Sequence, residues 1–268
     1  MPIKTTLLSF AILIGLSMQP AALQAETYAG PEWWLKDAGA VISSPLHWGA
    51  SDLKNIGIFS LAAGISFVWF DDNLEDYAKN VQGNEFNVLS EKVRYLGDGL
   101  IIVPLFGAGY AYGAAAGKSE LQRASLIGLE SYLVSGGIAT LVKFSVHRPR
   151  PKTGGSYFRT SKERFFSPDN LSFPSGHSTS AFSSARVFSW YFRDYAAAPY
   201  ISYGLASLVA WSRVNDSEHW ASDVVVGSAL GFFTAGKIIE LNENRSPPNL
   251  SLLPAYASGP GVTVLYKF

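Results

Sequence analysis

Long uncharged runs separated by short polar stretches organise this chain between residues 55 and 239. Asn55–Phe70 is a 16-residue run without a charge, bounded by Lys54 and Asp71. Gly99–Gly117 and Ala124–Val142 are 19 residues each, the second interrupted only by Glu130. Ser178–Phe192 carries Arg186 in its middle, Tyr195–Ser212 is 18 uncharged residues, and Val224–Ile239 contains Lys237. All are rich in Gly, Ala and Ser, the small residues that let helices approach closely in a bilayer. The pattern predicts an all-α fold with six helices embedded in a membrane, with Gly99–Gly117, Tyr195–Ser212 and Ala124–Val142 long enough to span it. The competing form is a helical bundle with a few very apolar helices and no membrane.

The ends read differently. Residues 1–25 place Lys4 before an apolar stretch, Leu7 to Leu16, and finish on Ala22-Leu-Gln-Ala25. That is the pattern of a signal peptide, with an uncleaved anchor helix as the alternative. Residues 26–54 hold Trp33, Trp34, Trp48 and Pro45 among polar residues, which suits an interfacial segment or a lid packed on the bundle. The helical domain is expected over 55–245, with a tail at 246–268. In that tail Leu250–Tyr256 and Val262–Phe268 flank Gly-Pro-Gly, which reads as a short β-hairpin.

Composition narrows the chemistry. The 21 Lys and Arg balance the 21 Asp and Glu, so a basic nucleic-acid binder is excluded. The chain has no cysteine, which removes disulfides, thiolate metal sites and thiol nucleophiles. Only four histidines exist: His47, His147, His177 and His219. The charge is not evenly spread. Asp71–Asp98 nets −4, and Lys143–Ser167, directly after an apolar run, nets +6. The basic stretch suits either a cytoplasmic loop or an anion site.

Three motifs bear on that choice. The first is Lys143, six residues, then Arg150-Pro151; on a continuous helix the two cations share a face and grip one anion from two directions. The second is Pro174-Ser175-Gly176-His177 at the start of a helix, where free N–H groups and the helix dipole favour a phosphate, and where a histidine can pass a proton to a leaving oxygen. The third is Ser212-Arg213, five residues, His219, three residues, Asp223. His219 and Asp223 stand at i and i+4, so the carboxylate can hold one ring nitrogen protonated and leave the other to attack. Singly, each motif is as well read as ordinary helix-end chemistry or a surface ion pair.

Together, in order and with gaps of 22 and 34 residues, they resemble the phosphate-binding signature of the type 2 phosphatidic acid phosphatase superfamily. The resemblance covers residues 143–241 closely and the preceding helices loosely. It implies a six-helix bundle of that superfamily's kind and phosphoester hydrolysis that needs no metal and no cofactor. It further implies His219 as nucleophile through a phosphohistidine, Asp223 as its orienting partner and His177 as general acid. Lys143, Arg150, Ser175, Gly176 and Arg213 would form the phosphate cradle. Two departures stand out: Ala221 replaces a frequent Pro, and the five residues before His219 include Asp216 and Glu218, which either raise its pKa or face water. Arg148, Lys152, Arg159, Lys162 and Arg164 fall outside the signature and read as solvated loop charges or guides for an anionic headgroup.

The expected function is hydrolysis of a lipid phosphate or pyrophosphate at a bacterial membrane. Alternatives are a periplasmic non-specific acid phosphatase, a vanadate-dependent haloperoxidase, and a non-catalytic envelope protein. A signal peptide would leave residue 26 outside the cytoplasm, and six crossings would then turn the site inward. A periplasmic site therefore asks that one segment, Asn55–Phe70 being the shortest, not cross, or that none does.

Overall fold

A computed structural model describes residues 31–81, 84–154, 167–245, 250–255 and 261–266. Residues 1–30, and with them the expected signal peptide, lie outside that set. Among the described residues there are nine α-helices. They are α1 (Pro31–Ser43), α2 (Ala50–Ile65), α3 (Asp71–Val81), α4 (Asn84–Val93) and α5 (Gly99–Ala115). Then come α6 (Ser119–Val146), α7 (Gly176–Tyr191), α8 (Ala198–Asn215) and α9 (Ala221–Glu243). The expected count of six is corrected. The six apolar runs correspond to α2 with its continuation and to α5 to α9, but three more helices form from amphipathic sequence. α1, α3 and α4 mix charged with apolar positions, so no uncharged run marks them. Strands β1 (Leu250–Ala255) and β2 (Gly261–Tyr266) pair antiparallel, with Leu250 opposite Tyr266 and Ala255 opposite Gly261.

Several boundaries follow from local chemistry. α2 continues through a π-helical turn at Ser66–Phe70 straight into α3, and the Asp71 N–H donates to the Ser66 carbonyl. α5 starts where the Asp98 carboxylate accepts from the Leu100 N–H at 2.9 Å, satisfying one of the free amides of a helix start. α6 stops at His147, whose φ of 52° is left-handed, and the two prolines at 149 and 151 forbid continuation. α9 starts with the Asp223 carboxylate accepting from the Trp220 N–H at 3.0 Å.

Three helical runs, Ala50–Asp76, Ser119–Thr153 and Ala221–Glu243, are long and apolar enough to cross a bilayer, and Gly99–Ala115 is a shorter apolar helix. The ranking differs from the expectation. Asn55–Phe70 is lengthened by helical turns on both sides to a run of 27 residues, while α8 begins only at Ala198, after a turn that consumes the start of its apolar run. Large apolar side chains project outward along these helices, among them Leu61, Val68 and Trp69 on the first, Leu100 and Leu105 on α5, Leu141 on α6, and Tyr200 and Ile201 on α8. So broad an apolar exterior is unusual for a water-soluble monomer and suits lipid.

α7 stands at the centre, packed against α6, α8 and α9. The core joins Ile102 and Phe106 of α5, Ile127 of α6, Val187 of α7 and Ala235, Ile238 and Ile239 of α9. Phe106 stacks on Phe188 at 5.3 Å. The closest approach is between α7 and α9, where a Cβ on Gly227 would lie 2.5 Å from the Ser175 carbonyl oxygen and one on Gly231 2.1 Å from that of Thr179. α1 closes the far end of the bundle: Asp37 pairs with Arg245 at 2.6 Å, and the Arg245 guanidinium lies 4.3 Å from the Trp33 ring centre. The ends of α2, α6 and α8 and the starts of α5, α7 and α9 all gather at the opposite end. Gly231→Ala is expected to cost about 1–3 kcal/mol, because the added methyl must push α7 from α9. Gly107→Ala, with nothing within 4 Å of the new Cβ, is expected to be neutral or slightly stabilising. Thermal unfolding of the two variants in detergent reads the contrast.

Candidate active site

The three motifs meet at that opposite end. His219 sits on the loop between α8 and α9 and is 3% exposed. Its Nδ1 is 2.7 Å from the Ser172 carbonyl oxygen, and Asp223 Oδ2 stands farther off at 3.7 Å, beyond hydrogen-bond length. The i,i+4 spacing thus brings the carboxylate close without a direct bond. A main-chain carbonyl accepts the Nδ1 proton instead, which leaves the lone pair on Nε2. Burial pushes the His219 imidazole down to about 4, with the Lys143 and Arg150 charges acting in the same sense and Asp223 against them. The ring is therefore neutral near pH 7, the form a nucleophile needs.

Asp223 is buried with every oxygen engaged. Oδ2 accepts from Ser172 Oγ at 2.5 Å and from the Trp220 N–H at 3.0 Å, and Oδ1 accepts from Arg148 at 2.5 Å. Arg148 is 5% exposed, so its reading as a solvated loop charge is corrected. Its other nitrogen donates to Asp71 at 2.7 Å, and its guanidinium lies 5.3 Å from the ring centres of both Phe67 and Trp220. Asp71, 1% exposed, also accepts from the Ser222 N–H at 2.8 Å and from Ser222 Oγ at 2.7 Å. Sequence reasoning missed Asp71, Arg148 and Ser172. The acidic pair Asp71-Asp72 directly after an apolar run was the available signal, but nothing in it says that one acid turns inward.

Lys143 and Arg150 are not on one helical face, since α6 ends between them. Lys143 reaches over the turn before α7, where Nζ donates to the carbonyls of Leu171 at 2.8 Å and Pro174 at 2.5 Å and its Cε lies 3.9 Å from where a Cβ of Gly176 would be. Arg150 is placed by its main chain, which donates to the Asp169 carbonyl at 2.8 Å, and its Nε donates to the Pro168 carbonyl at 3.1 Å. Ser175 is fully buried as the cap of α7: its Oγ is 3.4 Å from the Ser178 N–H and accepts from Ser178 Oγ at 3.0 Å. The helix start it caps carries free N–H groups of the kind that favour an anion. Its N–H donates to the Asp223 carbonyl at 3.0 Å, which locks the starts of α7 and α9 together.

His177 lies half-buried in the first turn of α7, with Nε2 4.0 Å from Asp98 Oδ2. Burial, and then the Arg213 charge, push it down to about 4, while Asp98 opposes. Arg94, on the turn before α5, acts on it in the same sense as Arg213. Arg213, 5% exposed, ends α8 with NH1 3.0 Å from Asp216 Oδ2. Glu218 is partly exposed and is paired with Arg150 and, at 2.7 Å, with Lys152. Burial works against its charge, yet Lys152 and Arg150 hold its carboxyl below the ordinary range. Arg159, Lys162 and Arg164 lie outside the described residues. Among the described residues no group of three or more His, Asp or Glu side chains is placed to hold a metal ion.

Asp71→Asn leaves Arg148 buried with one carboxylate instead of two. Breaking a buried pair costs about 3–5 kcal/mol, so this variant is expected to unfold well below the parent in a denaturant series, while Asp72→Asn, at an exposed position, is expected to change little.

Residues 124–246 match the profile of the PAP2 superfamily. The chain is 26% identical over 174 residues to a lipid A 1-phosphatase of Porphyromonas gingivalis, a match that spans 64% of this chain and 34% of that relative's length. Among solved structures it resembles Aquifex aeolicus LpxE, with a TM-score of 0.52 at 20% identity over 63% of this chain and 94% of the other. It also resembles a transmembrane PAP2-type phosphatidylglycerolphosphate phosphatase of Bacillus subtilis, with a TM-score of 0.51 at 19% identity over 80% of this chain and 94% of the other. The bundle resembles the fold of these two proteins, and the stretch that matches the PAP2 superfamily profile, residues 124–246, carries all three motifs.

Proposed function

We propose that this chain is a phosphatase that removes phosphate from a lipid phosphate or pyrophosphate by way of a phosphohistidine on His219. The observation that carries the reading is the buried, neutral His219 with its Nδ1 proton committed to the Ser172 carbonyl, set among Lys143, Arg150 and Arg213. Phosphoryl transfer asks mainly for in-line positioning and neutralisation of the equatorial oxygens. Those three cations and the amides at the start of α7 supply both. His219 Nε2 attacks phosphorus, and the bond to the leaving oxygen breaks. His177 gives that oxygen a proton. A dianionic phosphoryl group between Arg213 and His177, together with Asp98, favours the protonated ring and so arms the acid when substrate arrives. Neutral His177 then takes a proton from water as the water oxygen bonds to phosphorus and the P–Nε2 bond breaks, which frees His219 and releases orthophosphate. Asp223 at 3.7 Å offsets the positive charge that His219 gains in the intermediate.

Two observations support a lipid as substrate. The helices around the site expose large apolar side chains along their length. The relative from P. gingivalis and the structure from B. subtilis both carry a lipid substrate in their names. Purified protein is expected to release orthophosphate from mixed micelles of phosphatidate, phosphatidylglycerophosphate, an isoprenyl pyrophosphate or lipid A, with at least one far ahead of soluble phosphomonoesters. His219→Ala is expected to lower the rate by more than about 10³-fold, and His177→Ala by about 10²–10⁴-fold. The loss at His177 is expected to shrink on p-nitrophenyl phosphate, whose leaving group needs no proton. Release persisting in His219→Ala would sink the mechanism. Equal rates on sugar phosphates would favour the non-specific acid phosphatase.

We place the site at the periplasmic face with α2 crossing, which puts the end carrying Ala50 in the cytoplasm and gives up the expectation that residue 26 is left outside. The chain lacks cysteine, so Thr153→Cys, at an exposed position beside Arg150, introduces a single thiol. It is expected to react with an impermeant maleimide in intact spheroplasts, and labelling only after lysis would overturn this orientation.

A further inference from the structure

The five residues between Arg213 and His219 are where this chain brings acids of its own to the phosphate site. Both acids turn to the cradle cations. Asp216 accepts from Arg213 NH1 at 3.0 Å with one oxygen and from Ser90 Oγ at 2.5 Å with the other, so it is tied down on both sides. Glu218 differs. It is 23% exposed, its partners are the side chains of Arg150 and Lys152, and Lys152 is itself 43% exposed. The main chain beneath it is fixed: the Glu218 N–H donates to the Arg213 carbonyl at 3.1 Å, the His219 N–H to the same carbonyl at 3.2 Å, and the Lys152 N–H to the Ser217 carbonyl at 3.0 Å. The carboxylate can therefore leave Arg150 by side-chain rotation alone, without moving the nucleophile beside it.

Arg150 offers a planar fork that suits one oxyanion in bidentate fashion. A phosphoryl group held by Arg150 and attacked by His219 must lie next to the residue that precedes His219. Two anions then compete for one guanidinium, and like charges at that spacing repel. We propose that Glu218 is a built-in counter-anion of the phosphate site: it holds the Arg150 fork in the empty enzyme, yields it to the substrate's phosphoryl group, and takes it back as orthophosphate leaves. The inference rests on the reading of this site as a phosphatase centre and adds a selectivity to it. A free phosphate must displace Glu218 with its own charge alone, whereas a lipid phosphate also has its contact with the bilayer and the bundle. The exchange lowers both affinities by the same factor, but the lipid phosphate starts from tighter binding and stays bound while the free anion becomes a weak ligand, which limits inhibition by product.

The test uses the full chain in detergent and orthophosphate as the probe. Glu218→Gln keeps the shape of the side chain and removes its charge. Titration calorimetry is expected to show orthophosphate binding about three- to tenfold tighter than in the parent, the size of effect a partly exposed charge pair supports. Inhibition of lipid hydrolysis by orthophosphate is expected to strengthen by the same factor, with KM lowered and kcat lowered as release slows. Glu218→Ser, which also removes the charge, is expected to behave alike, and it carries the test if the Gln variant does not fold. Orthophosphate binding that is unchanged or weaker in both variants would overturn the proposal and make Glu218 a support that aims Arg150. Repeating the titrations in a His219→Ala background separates the two ideas, because anion binding is read there without turnover. Failure of the parent protein to hydrolyse any phosphate ester would remove the proposed function and leave the affinity ratio standing as its own result.

Discussion

A carboxylate out of reach of water has to be met by donors, and at Asp223 those donors come from far apart in the chain. Ser172 lies on the segment before α7, Trp220 on the loop before α9, and Arg148 just past the end of α6. Arg148 in turn needs a second anion, and Asp71 at the end of the first long helix supplies it. An isolated buried ion would cost several kcal/mol, so none of these groups can be placed without the others. The active end of the bundle is in this sense one electrostatic object, and the helices are the means by which its parts are delivered. Such a network contributes little net stability compared with apolar packing of the same volume. What it does supply is position: the ring of His219 is held by Ser172 on one side while the charge that will balance it is held in place on the other.

The legible parts of the sequence were those governed by one local rule. Uncharged runs show α5 to α9 because burial or lipid contact excludes charge over many consecutive residues. The three motifs were legible because Lys143, Arg150, His177, Arg213, His219 and Asp223 stand at spacings short enough to read along the chain. Less legible was anything that depends on two distant segments. Amphipathic α1, α3 and α4 have polar faces that break the uncharged pattern. The assumption that Lys143 and Arg150 share a helix failed because His147 turns left-handed, a conformation no periodicity announces. Ser172 entered the site through its backbone carbonyl, and any residue type has one of those. Arg148 looked like its basic neighbours, and only the fold separates a buried guanidinium from a solvated one.

The same locality explains the charge balance. The acidic stretch from Asp71 to Asp98 and the basic stretch from Lys143 onward are far apart in sequence and cancel in the sum. In the folded chain members of the two sets meet, Asp71 with Arg148. Glu218 and Asp216, from a third stretch, complete the pairing. On the proposed reading, a cradle neutralised before its substrate arrives binds by exchange of partners and not by simple attraction.

The π-helical turn at Ser66–Phe70 gives the last long view of this arrangement. A wide turn inserts one residue into the winding, and every side chain after it is rotated by about 100° relative to a regular helix. Val68, Trp69 and Phe70 remain on the outer surface, and the very next residue, Asp71, points to the interior at 1% exposure. The turn acts as a phase shifter: it lets one continuous rod present an oily side along most of its length and still deliver a carboxylate inward at its tip. Regularising that turn would carry Asp71 out of the interior, and Arg148 and then Asp223 would lose their alignment although neither had been altered. The geometry of the chemistry is thus written partly in the pitch of a helix that touches none of the reacting atoms.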